Sequence, residues 1–261
     1  MSRLFDDAST QYLSEAAAPV SATPLTLAGW FRSDDATVEQ MIVAVGVNGS
    51  PNNRWSLSIA GQAAGDPVRA TARTTSSQSS DTGTGYSVNT WHHAAGVFVS
   101  ATSRFAYIDG TVATESTGSR TPSGMDQCRI GAIGDATLLM SGRIAEVGIW
   151  NVALTAGEVA ALARGVSPLR IRPGNLVRYY PIRGVQSPEI SPRTSNTITL
   201  VNAPVVADHA PVQPLLWRTG SPMPAAVPPP AGGDVFIEGL HRIHEGMKPL
   251  TAAGLGGVLV T

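Results

Sequence analysis

The stretch GRIAEVGIWNVALTAGEVAAL, residues 142–162, holds two kinds of element in immediate succession. Residues 142–150 are apolar except for Arg143 and one central carboxylate, Glu146, and read as a strand. Thr155 and Glu158 then fit a capping box, in which each side chain satisfies the other's backbone N–H. Val159 and Leu162 share one face of the helix that follows, and Gly165 with Pro168 supply the stop. The expectation is a helix of about three turns on the edge of a sheet. It leaves one question, whether Glu146 does chemistry.

Upstream, the pattern is short strands with glycine-rich punctuation. In residues 25–32, LTLAGWFR, Leu25, Leu27, Gly29 and Phe31 alternate with Thr26, Ala28 and Trp30. MIVAVGV (41–47) is a short apolar run that ends in the turn formers NGSPNN. RWSLSIAG (54–61) puts Trp55, Leu57 and Ile59 on one face. TWHHAAGVFVS (90–100) and RFAYIDGTVA (104–113) follow, the second turning at Asp109-Gly110, a pair suited to the two positive φ angles of a type I′ hairpin. SSQSSDTGTG (76–85) has no periodicity and reads as a polar loop. QCRIGAIG (127–134), NLVRYYPI (175–182) and NTITLVNAPVV (196–206) add further strands. Strands at this spacing argue an all-β antiparallel sandwich or jelly roll.

Composition excludes several function classes. Charged residues are 14% of 261 and the formal net charge is −1, so there is no electrostatic footprint for nucleic acid and no polybasic membrane patch. The single cysteine, Cys128, forbids an internal disulfide and reads as a small buried side chain. No apolar run reaches the length of a membrane span. The opening MSRLFDDASTQYL lacks a signal-peptide core, so the expectation is synthesis in a cytoplasm.

The same segments carry a family resemblance. RLFDDASTQYL (3–13) resembles the opening strand of laminin-G-like, concanavalin-A-like jelly-roll domains. LTLAGWFR, TWHHAAGVF, AYIDGTVA, RIGAIG and SGRIAEVGIWNVALTAGEVAAL resemble that family's successive strands, and NLVRYYPI and NTITLVNAPV its closing segments. The resemblance runs from residue 1 to about 212 in the expected order. It implies a sandwich over 1–213 and binding more often than catalysis, although fold alone does not decide function.

Glycosidases on this fold carry two or three carboxylates on one strand face, because retaining hydrolysis needs a pair about 5 Å apart. Glu146 has no acid at 144, 148 or 150, so its expected role is structural and no catalytic residue is assigned. His92 and His93 are adjacent on a strand and point to opposite faces, which prevents a shared metal site. Calcium-binding relatives use carboxylates and amides in edge loops; here Asp34, Asp35, Asn52, Asn53 and Asp81 are scattered and form no self-contained calcium loop. No cofactor or metal is therefore assigned, and a calcium site assembled across several loops is the alternative left open. Tyr86, Asp81, Asn52 and Asn53 are the candidates for contact with a sugar, Tyr86 by stacking and the others through loop amides and carboxylates.

Beyond the sandwich, residues 214–234 are rich in Pro and Gly and read as an extended linker. In 235–261, Phe236, Leu240, Ile243 and Met247 are spaced 4, 3 and 4 apart, a heptad-type seam on a helix too short to stand alone. His241, His244 and Glu245 flank the seam as solvated residues. The last thirty residues resemble the C-terminal tails of some tailed-bacteriophage structural proteins. That resemblance implies a non-enzymatic virion surface protein, a capsid decoration or fibre component. Its partners would be other virion structural proteins and its own copies, a trimer being favoured, with host-surface polysaccharide facing the sandwich. The alternative is a free carbohydrate-binding lectin module oligomerised by its tail.

Overall fold

The computed structural model describes residues 2–192 and 194–212, which form two eight-stranded antiparallel sheets packed face to face. In chain order the strands begin β1 (Ser2–Phe5), β2 (Tyr12–Glu15), β3 (Leu25–Ser33), β4 (Glu39–Gly46) and β5 (Arg54–Ala60). Next come β6 (Pro67–Arg73), β7 (Ser77–Gly85), β8 (His92–Ser100), β9 (Ser103–Ile108), β10 (Thr111–Val112) and β11 (Gln127–Ile130). β12 (Gly142–Trp150) leads to helix α1 (Ala156–Ala163), and β13 (Leu176–Tyr180), β14 (Glu189–Ile190), β15 (Thr197–Val201) and β16 (Val205–Ala207) close the fold. The first sheet runs β10-β9-β8-β3-β12-β1-β16, with β13 also on β12; the second runs β14-β15-β2-β11-β4-β5-β6-β7.

The core follows from the alternation. Leu25, Leu27 and Phe31 of β3 meet Trp55, Leu57 and Ile59 of β5 in one cluster between the sheets, with Cys128 among them. The other face of β3 is buried as well. Ala28 lies under Val159 and Leu162 of α1 and beside Trp150, and Trp30 lies beside Ala210. Trp150 donates its indole N–H to the Ile171 carbonyl at 2.8 Å, which fixes the ring beneath the turn that follows α1.

The Asp109-Gly110 turn and the helix cap form as their residues dictate. Asp109 and Gly110 have φ of 48° and 83°, both positive as a type I′ turn requires. The Thr155–Glu158 capping box is present. Val166 and Gly165 donate back to Ala161 and Leu162, and Gly165, at φ 85°, allows that left-handed stop. α1 has eight residues, closer to two turns than three.

Two expectations are corrected. Residues 77–85 are not a loop but the edge strand β7, paired with β6 from Pro67↔Gly85 to Arg73↔Ser77. Its inward side chains are hydroxyls: Ser80 donates to the Thr114 carbonyl at 2.8 Å and accepts from the Ala106 N–H at 3.0 Å. The opening segment is two strands, because the turn at residues 6–11 sends β1 to one sheet and β2 to the other. The linker and the seam residues Phe236, Leu240, Ile243 and Met247 lie outside the described residues. No helix among the described residues is long and apolar enough to cross a membrane.

Gly148 exposes how tightly this face is packed. A Cβ there would stand 2.4 Å from the ring of Trp150, which is fully buried and hydrogen-bonded. Gly148→Ala should therefore lower stability by about 1–3 kcal/mol, the usual cost of overpacking. Urea denaturation checks this, with the midpoint falling at unchanged slope.

Candidate functional site

The structure separates the four candidate sugar contacts. Tyr86 is 5% exposed, belongs to the core, stands edge-on to Phe31 and donates to the Asp35 carbonyl at 3.0 Å. Its ring offers no open face for stacking, and the expectation is corrected: a tyrosine after a polar segment here closes the sandwich end. Asp81 is held by both ends of the Arg69 guanidinium, at 2.8 and 2.7 Å. Asn52 accepts from Arg73 Nε at 2.9 Å, and Asn53 occupies a turn at φ 50°. Arg69 and Arg73 sit four residues apart on β6, so Asp81 and Asn52 lie at opposite ends of that strand pair.

The histidines are likewise placed by packing. His92 accepts the Ser87 N–H at Nε2, so its Nδ1–H donates to Asp109 at 2.7 Å and both nitrogens are used. Asp109 is desolvated, yet the His92 and His93 hydrogen bonds hold its carboxyl below the ordinary value. His93 is buried edge-on to Trp30 at 5.5 Å. Among the described residues no three His, Cys, Asp or Glu side chains assemble to hold a metal ion.

Glu146 sits where β12 changes neighbours. Gly142–Ile144 pair with β1, and Val147–Trp150 pair with β13. At the same place the ladder to β3 slips between Ala145 and Gly148, and Glu146 takes φ 55°. A non-glycine residue held there costs on the order of 1–3 kcal/mol and needs support. The Glu146 N–H donates to the Pro181 carbonyl at 3.2 Å. Its buried carboxylate accepts from Tyr179 Oη at 2.5 Å and lies 2.9 Å from His209 Nε2. Burial, then the Glu146 charge, pushes the Tyr179 phenol far up, so it stays a donor.

Tyr179 also lines a cavity of about 400 Å³ between β13, β14 and the turn after α1. Leu169, Pro181, Val185, Ile190 and Pro192 form apolar walls, and Arg183, Gln186 and Glu189 bring polar groups. Glu189 Oε1 accepts from Arg3 Nε at 2.8 Å and from the Gly184 N–H at 3.0 Å, while its Oε2 takes no donor from the described residues. Arg183 is exposed and enters no ion pair among the described residues. Val185 is 64% exposed and Ile190 39%, so the cavity mouth is apolar. A guanidinium, an amide and a carboxylate oxygen against apolar walls match a sugar ring, with hydroxyls around its rim and C–H groups on its faces. None of these cavity residues was a sequence candidate. Arg3 and Glu189 stand 186 positions apart, and the Arg183 that follows YYPI carries no local motif.

The concanavalin A-like lectin/glucanases superfamily profile matches residues 7–160, more than half of the chain. The chain belongs to that superfamily. No curated protein sequence matches it. Among solved structures it is similar to a candidate carbohydrate-binding protein from Bacteroides ovatus, at TM-score 0.55 and 17% identity, covering 78% of this chain and 60% of that one. It is also similar to the enzymatically active domain of tailspike protein 2 of bacteriophage CBA120, at TM-score 0.54 and 15% identity, covering 69% of this chain but only 29% of that one. At these identities the likeness is one of fold. The superfamily's name spans lectins and glucanases, so the chemistry of this chain's own site decides between them.

Two outcomes follow from the buried groups. Glu146→Ala leaves the buried Tyr179 hydroxyl and the half-buried His209 unpaired and should cost about 1–3 kcal/mol, whereas Glu146→Gln keeps an acceptor and should cost less. Burial pulls His93 from 6.5 down to about 4, against the pull of Asp109. A buried histidine whose folded value is depressed stabilises fully above its unfolded value and loses that stability on protonation. The loss should run from pH 6.5 through 4 and approach about 3 kcal/mol. Melting curves across that window check it, and His93→Gln should flatten the decline.

Proposed function

We propose that this protein is a non-enzymatic carbohydrate-binding protein of a bacteriophage virion surface, a capsid decoration or fibre component. The observation that carries the binding reading is the cavity beside Tyr179, with opposite hydrogen-bonding groups, Arg183 and Glu189, on apolar walls. The binding reading is also supported by the state of the carboxylates. Glu146 is buried and engaged by two partners, and Glu189, the one carboxylate among the described residues that line the cavity, is tied to Arg3 and Gly184. Glycoside hydrolysis needs two working carboxylates flanking one bond.

The virion reading draws on the phage-like tail sequence and on the fold shared with a phage tailspike domain. In it, residues 235–261 join copies of the chain, a trimer in the simplest case, and dock them on other virion proteins. The sandwich then faces outward toward host-surface polysaccharide. Weak single sites gain avidity when several copies engage one polymer.

Purified protein applied to an array of bacterial surface glycans should bind, and Arg183→Ala should weaken that binding by about tenfold. The protein should also be found by mass spectrometry in purified particles. Binding without particle association would return the free lectin module oligomerised by its tail. A chain ending at Val212 should sediment as a folded monomer while the full chain sediments as an oligomer. Identical monomeric sedimentation of both would remove the assembly role of Phe236, Leu240, Ile243 and Met247.

A further inference from the structure

The outer face of the second sheet carries an arrangement that folding alone does not favour. On β5 and β6, Trp55 and Ala72 point into the core, so Arg54 and Arg73 point outward. The register sets these two arginines directly opposite each other. Side chains so placed have Cβ atoms about 5 Å apart, and like charges there repel. Guanidinium pairs in water are screened, but Arg54 is only 6% exposed.

Neither arginine has a carboxylate partner among the described residues. Arg73 spends Nε on the Asn52 side chain, and Arg54 spends Nε on Ser56 and Nη1 on the Pro51 carbonyl. Nη2 of Arg54 and both terminal nitrogens of Arg73 have no acceptor among the described residues. Burial, and next the Arg73 charge, lower Arg54 to about 10, with the charges of Glu39 and Asp135 opposing more weakly. Their neighbour Arg69 makes the contrast. Two rows along the same face of β6, it is paired with Asp81 and Glu39. The sheet therefore neutralises one arginine and leaves two facing each other.

Alongside lie hydroxyls. Ser77 is opposite Arg73 and exposed, and the next row across the strands is Ser56, Thr71 and Ser79. A planar oxyanion between the two guanidiniums would take Nη1 and Nη2 of Arg73 in the forked geometry that arginine favours, accept from Nη2 of Arg54, and offset the repulsion. A ring bearing that oxyanion would meet the exposed Ser77 and the half-buried Ser79, since Ser56 and Thr71 are buried.

We propose that Arg54 and Arg73, with Asn52 and Ser77, form a second binding site, for the carboxylate of an acidic sugar. It lies on the opposite sheet from β13 and shares no residue with the cavity beside Tyr179. Its success or failure is therefore separable from that of the cavity.

The test titrates the 261-residue chain with sodium glucuronate, using glucose, sodium acetate and inorganic phosphate as controls. Binding is read by calorimetry and by the rise in melting temperature that a native-state ligand produces. Glucuronate should bind more tightly than all three controls and weaken with added salt. Arg73→Gln should lose about tenfold or more in affinity without a fall in melting temperature of the free protein, since it relieves the repulsion. Arg73→Lys, which keeps the charge without the planar fork, should lie between. Arg183→Ala should leave glucuronate binding at this site unchanged. Phosphate or acetate binding as tightly as glucuronate would overturn the sugar assignment. No binding of any of these anions, or binding indifferent to Arg73→Gln, would overturn the site.

Discussion

The bulge at Glu146 is the constraint on which the arrangement around the cavity depends. β12 is central to its sheet and must serve two neighbours on one side, β1 for its first half and β13 for its second. The change requires a local break, and Glu146 at φ 55° is that break. Its cost is offset by a backbone hydrogen bond to Pro181 and by two side-chain partners. Those partners have consequences. Tyr179 is fixed where it lines the cavity, and His209 ties residues 208–212 over the sheet, where Ala210 meets Trp30. A carboxylate that looks catalytic in an apolar strand thus acts by orienting what surrounds it.

Parts of this were legible in the sequence because their cause is local. Asp109-Gly110 needs only two residues to specify its turn, and Thr155 with Glu158 needs four to specify a cap. Trp55 and Cys128 fall in the core as strand alternation and small size require. β7 was not legible. It is an edge strand whose inward positions are Ser80 and Thr82, satisfied by hydrogen bonds that no apolar periodicity records. Tyr86 was misplaced for a related reason, since the polar run before it is not a loop and its ring turns inward. The cavity and the Arg54–Arg73 pair arise from contacts between strands, which local pattern does not encode.

Charge use connects the two sites. Seventeen of the eighteen basic residues are arginine, the side chain able to stay charged when partly buried and to share several acceptors. Many of them are spent on architecture. Arg104, fully buried, donates to Ser116 and to the Ala101 and Gly118 carbonyls, and so holds the long connection between β10 and β11. Arg178 pairs with Glu15, and Arg3 with Glu189. Against that background, an arginine with donors left over is informative. Arg183 at the cavity mouth and the Arg54–Arg73 pair are such cases, at separate places on one lectin-type sandwich.

Sugar binding as proposed requires that the cavity beside Tyr179 receive the ring. The most direct measurement is an NMR titration of the isotopically labelled protein with an oligosaccharide retained on the glycan array. Amide shifts should concentrate between Tyr179 and Pro192 and be lost when the cavity is filled by Val185→Trp, while the rest of the spectrum stays unchanged. Shifts confined to other surfaces, or undiminished in Val185→Trp, would contradict that placement of the ring.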